Sequence, residues 1–77
     1  MQNYYYKIIY IDAENDSIEK IFVADYREAL KFISIVEKNT SIVWQDISAT
    51  DEYAEYKFDN KDYVSIEKCI FRTFKEI

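Results

Sequence analysis

Apolar residues run together or alternate with polar ones in five short stretches of this chain, and once they recur at helical spacing. Tyr4–Asp12 is rich in Tyr and Ile, the composition of a strand. A polar break at Ala13-Glu14-Asn15-Asp16 separates it from Ser17–Ala24, so the two stretches predict a hairpin. Asp25 stands ahead of Tyr26-Arg27-Glu28, placing a carboxylate at the N-cap and a glutamate at N3, a variant of the capping box. From there Ala29, Leu30, Ile33 and Val36 form one stripe, and Arg27, Glu28, Lys31 and Lys38 share the opposite side. This predicts an amphipathic helix over about residues 26–38, with Lys38 in the last turn and Asn39 as its C-terminal cap. Phe32 lies on the flank of the stripe. Ile35 projects among the charges and is a candidate contact residue.

Ser41–Ala49 reads as a third strand, Thr50-Asp51-Glu52 as an acidic break and Tyr53–Phe58 as a fourth strand. Asp59-Asn60-Lys61-Asp62 is a turn signal. Beyond it the pattern allows strand or helix, since Ile66, Ile70, Phe74 and Ile77 also fit a helical stripe. An internal likeness favours strand: Ser17-Ile18-Glu19-Lys20-Ile21-Phe22 recurs as Ser65-Ile66-Glu67-Lys68-Cys69-Ile70-Phe71, each copy following an Asp/Asn turn. Tyr63–Phe71 is therefore assigned as a strand, with Thr73–Ile77 frayed or a last helical turn. The expectation is an α+β fold of β-β-α-β-β-β order: a mainly antiparallel sheet with one helix on one face. A chain of this length supports one core, so residues 1–77 are expected to form one domain.

Composition changes this picture at the turns. The chain has no glycine and no proline, so any residue at positive φ should be Asn or Asp, with Asn15, Asn39 and Asn60 the expected positions. The bias toward Ile, Lys, Tyr and Asn, with Lys far ahead of Arg, fits AT-rich genes such as those of low-GC bacteria and their phages.

The net charge of −5 argues against direct binding to nucleic acid and to anionic membrane surfaces, both of which call for clustered Lys and Arg. A single cysteine, Cys69, leaves no internal disulfide and fits a reducing compartment. No leader-like or membrane-spanning run is visible, and the expected location is the cytoplasm.

Candidate chemistry is sparse. Histidine is absent, and with it the usual general base and the commonest metal ligand. Without glycine there is no phosphate-cradling loop. Cys69 is expected to be a small core hydrophobe rather than a nucleophile. Asp12, Glu14, Asp16, Asp51, Glu52, Asp59 and Asp62 all fall at turns. The Asp12-x-Glu14-x-Asp16 run lacks the glycine and the closing glutamate of a calcium loop. No enzyme activity, cofactor or metal site is expected.

What remains is surface. Alternation along the first strand puts Tyr4, Tyr6, Ile8 and Tyr10 on one face and Tyr5, Lys7, Ile9 and Ile11 on the other, so both faces are largely apolar and one helix cannot cover both. Trp44 is assigned to the core. Tyr4, Tyr6, Tyr10 and Ile35 are the expected aromatic contact surface, for a partner or for a homodimer. Between residues 46 and 62, Asp46, Asp51, Glu52, Glu55, Asp59 and Asp62 stand against only Lys57 and Lys61. Alternate strand residues about 6.8 Å apart match phosphate spacing, so this acidic surface could occupy the groove of a basic nucleic-acid-binding protein. The expected function is a small acidic interaction module, of the type of a phage or mobile-element inhibitor binding a host protein. The alternative is single-stranded nucleic-acid binding by stacking on exposed sheet tyrosines.

Overall fold

The computed structural model describes residues 3–71. Strands β1 (Tyr4–Asp12) and β2 (Ser17–Val23) are followed by helix α1 (Tyr26–Val36) and strands β3 (Ile42–Ile47), β4 (Tyr53–Phe58) and β5 (Tyr63–Ile70). All five strands form one antiparallel sheet in the order β2-β1-β5-β4-β3. The expected α+β class and element order are those observed. The expectation for Thr73–Ile77 falls outside the described residues.

The helix starts where its capping residue requires. Asp25 is extended and its Oδ1 accepts from the Glu28 N–H at 2.9 Å. It ends earlier than expected, at Val36, because the backbone tightens there: Lys38 and Asn39 donate to Ile35 O and Val36 O, three residues back. Neither Lys38 in the last turn nor Asn39 as cap is realised; Glu37 is the C-cap.

The core lies between α1 and one sheet face. Ala29, Ile33 and Val36 meet Tyr6 and Ile8 of β1, Ala54, Tyr56 and Phe58 of β4, and Val64 and Ile66 of β5. Leu30 stays exposed, and Phe32 takes its place, packing edge-on against Tyr10 with ring centroids 5.4 Å apart. Tyr26 likewise packs against Tyr6 at 5.5 Å.

The turns solve the absence of glycine in two ways. In the β1–β2 turn, Asp12 Oδ1 accepts from the N–H groups of Glu14 and Asn15, its Oδ2 accepts from the Asn15 side chain, and Asp16 takes φ 51°. These bonds hold the Asp12 carboxyl below its usual pKa, the Asn15 side chain contributing most. Asp51 and Lys61 are the other residues at positive φ, 57° and 79°. The expected Asn15, Asn39 and Asn60 are not among them. Asn60 instead uses its side chain, accepting from the Asp62 N–H and donating to Asp62 Oδ2. The strained position passes to Lys61, whose N–H donates to Phe58 O.

Candidate functional site: the open face of the sheet

Because α1 covers one side only, the opposite face of all five strands has no layer over it among the described residues. Cross-strand pairs share a face, so the register fixes what that face carries. One row reads Trp44, Lys57, Tyr63, Ile11, Ile18 from β3 across to β2. The next reads Asp46, Glu55, Ser65, Ile9, Lys20, and the third joins Tyr53, Glu67, Lys7 and Phe22. Tyr5 and Cys69 pair at the far end.

Trp44 reaches this face through a local irregularity. Ile42 pairs with Phe58 and Trp44 with Lys57, so two steps on β3 match one on β4. This bulge at Val43 breaks the two-residue alternation that would have kept Trp44 on the same side as the core-facing Ile42. The core assignment of Trp44 is therefore overturned: it is 43% exposed, with the Lys57 ammonium 5.0 Å from its ring centroid.

At the other end, Tyr5 packs against Phe71 at 4.9 Å and Phe22 at 6.0 Å. With Val23, Ala24 and Ile70 they line a shallow apolar groove of about 500 Å³. Phe22 and Phe71 are each 60% exposed. Cys69 is not a core residue either; it is half-buried beside Tyr5, its thiol facing Glu67 O at 3.7 Å and raising the pKa of the Tyr5 hydroxyl.

Several of the charges on the face are engaged within it. Lys7 bridges Glu67 at 3.3 Å. Tyr63 donates to Glu55 Oε1 at 2.8 Å. Hydrogen bonds from Tyr53 and then Tyr63 hold the Glu55 carboxyl below its usual pKa, while Glu55 pushes Tyr53 up to about 12.

The expected contact residues are distributed otherwise than their spacing implied. Tyr4, Tyr6 and Tyr10 lie on the helix-covered side: Tyr6 is 4% exposed, and Tyr4 and Tyr10 are half-buried against the core. The chain's own helix covers that side, so Tyr6 is closed to a dimer or partner contact and Tyr4 and Tyr10 are open to one only in part. Ile35 is exposed on the helix, away from either sheet face. Of the acidic set, Asp62 is buried at 4% exposure, bonded to Tyr10, Ala13 and Asn60, and is withdrawn from any contact surface. The rest are scattered. Asp51 and Glu52 occupy the β3–β4 turn, Asp59 lies at the other end of β4, and only Asp46 and Glu55 sit side by side on the open face.

Tyr5, Phe22, Tyr53, Tyr63 and Phe71 were not among the expected contact residues. Strand alternation separates Tyr5 from Tyr4 and Tyr6, but nothing local says which side receives the helix. Among the described residues no three Cys, Asp or Glu side chains converge as metal ligands, and no helix is long and apolar enough to cross a membrane. Comparisons with protein-family models, curated proteins and solved structures find no match for this chain.

Proposed function

We propose that this chain is a small non-enzymatic interaction module that binds a protein partner through the open face of its sheet. The observation that carries the reading is a five-stranded face with no covering layer among the described residues, on which Tyr5, Phe22, Trp44, Tyr53, Tyr63 and Phe71 are all placed by the register and the ring contacts. Phe22, Trp44, Tyr53 and Phe71 are exposed and Tyr5 and Tyr63 half-buried, and large aromatic side chains gathered on one face are the composition of a protein-binding patch. Three further facts favour binding over catalysis: the chain has no histidine, and Glu55 and Glu67 are engaged by Tyr63 and Lys7.

Stacking of single-stranded nucleic acid on the same rings is less well supported. Asp46, Glu55 and Glu67 share the surface and oppose phosphate.

Affinity capture with three forms of the chain tests the reading: wild type, the face variant Phe22→Ser/Trp44→Ser, and the helix control Ile35→Ser. Protein retained by wild type and control but lost by the face variant is the expected result. Capture that depends on Ile35 instead, or recovery of nucleic acid in place of protein, overturns it.

A further inference from the structure

The open face is electrically unlike the rest of the molecule. Its register carries Lys7, Lys20 and Lys57 against Asp46, Glu55 and Glu67, three charges of each sign, so the net charge of −5 belongs entirely to other residues. A neutral, aromatic face on an acidic domain is the surface least opposed to meeting a copy of itself.

The charges are also ordered. In the row Asp46, Glu55, Ser65, Ile9, Lys20, the acids stand on β3 and β4, the lysine on β2, and Ser65 on β5, the middle strand of the sheet. Consider a second copy laid face to face and related by a two-fold axis along β5. Each row then meets its own reverse, so that Asp46 of one copy faces Lys20 of the other, twice per dimer. In the neighbouring row Trp44 faces Ile18, 43% and 68% exposed in the single chain. Glu67, on β5 itself, meets its own copy once, each already bridged to the Lys7 of its own chain; an axis across the strands and through this row would instead set Asp46, Glu55 and Lys20 each against its own copy. Two opposite-charge pairs against one like pair favour the first arrangement, and it keeps the strands of the two sheets aligned, as packed sheets are.

The area suffices. Five strands about 4.8 Å apart, each contributing about seven residues at roughly 3.4 Å, project to roughly 600 Å². Side-chain relief raises the accessible area toward the roughly 800 Å² per partner of a standard interface.

We infer that the partner of this face is a second copy of the chain, in a face-to-face dimer whose two-fold axis follows β5 and pairs Asp46 with Lys20 across the interface. This rests on the reading of the open face as the binding surface and names its occupant.

Charge reversal with rescue tests it, read by sedimentation equilibrium of the full chain, with circular dichroism to show that each variant stays folded. The expected outcome is a dimer for wild type, dissociation constants raised roughly tenfold or more by Asp46→Lys and by Lys20→Glu alone through like-charge contact, and recovery in the double variant. A rescue of this kind is not produced by a merely structural role of either residue. A wild type that is monomeric at all concentrations overturns the inference, as does a dimer indifferent to the single reversals or not restored by the double. If the monomer's face still captures a different protein in the assay above, the interaction reading stands and only the occupant is wrong. If the face captures nothing and the chain is monomeric, both fall.

Discussion

The Tyr10 hydroxyl donates to Asp62 Oδ2 at 2.7 Å, joining the first strand to the turn that precedes the last. The other oxygen of that carboxylate accepts from the Ala13 N–H at 2.9 Å, so one buried side chain ties the β1–β2 turn to the β4–β5 turn. Removing a donor that leaves the acceptor otherwise bonded costs less than removing the acceptor and stranding its donors. Tyr10→Phe should lower unfolding stability by about 1 kcal/mol and Asp62→Ala by about 2–4 kcal/mol. Urea denaturation of the two variants measures the order, and equal losses would show that Asp62 does not serve the Ala13 N–H.

Alkaline pH should unfold this protein before it unfolds one without buried phenols. Burial pushes the Tyr56 hydroxyl up to about 12, and Tyr10 is raised further by burial and by its bond to Asp62. Both are ordinary at 10.0 once unfolded. The folded state therefore keeps protons that the unfolded state loses, and stability falls as pH rises from 10 toward 12 and beyond. Below pH about 10 these groups leave stability flat. Denaturant midpoints across this range, with tyrosinate absorbance as a second readout, check both the sign and the window.

Lys61 holds φ 79° with a β-carbon in place. Neither an Asn nor an Asp, it lacks the short polar side chain that eases this region for Asp16 and Asp51. Lys61→Gly should stabilise the domain by about 0.5–1 kcal/mol, whereas Asp16→Gly should gain less. Thermal midpoints of the two variants decide it.

Ile18 and Ile66 hold the same place in the two similar segments and opposite places in the sheet. Ile18 pairs with Ile11 on the open face and is 68% exposed, while Ile66 pairs with Ile8 inside the core and is 0% exposed. Ile66→Ala should cost about 2–5 kcal/mol and Ile18→Ala about 0.5 kcal/mol or less at concentrations where the chain is monomeric. Similar losses at the two positions would contradict the register.

That pair also marks how far reading the chain could go. Strand limits, the Asp25 cap and the element order are local matters, written in alternation, turn residues and capping chemistry, and they were legible to within a few residues. Facing is not local. β1 is apolar on both sides, so the choice between the Tyr6 side and the Tyr5 side rests on where α1 lands after a crossover from β2 to β3. Trp44 depends on one extra residue in β3, and a bulge leaves no signature in a run such as Ile42-Val43-Trp44. Asp62 looked like one more solvated acid because its partners, Tyr10 and Ala13, lie far away in sequence. The same separation hid the open face, whose rows draw on all five strands.

Strand order carries a consequence for the growing chain. β5, the last of the five to be synthesised, is the one in the middle, hydrogen-bonded to β1 on one side and β4 on the other. Until it emerges from the ribosome, β1–β2 and β3–β4 are two separate hairpins with their inner edges unpaired, and the helix spanning them has no continuous surface to lie on. Folding must therefore wait for the keystone and then close long-range pairings all at once. Such a topology folds slowly for its size, and a nascent chain halted before residue 63 offers its bare strand edges to chaperones and to its neighbours on the same message.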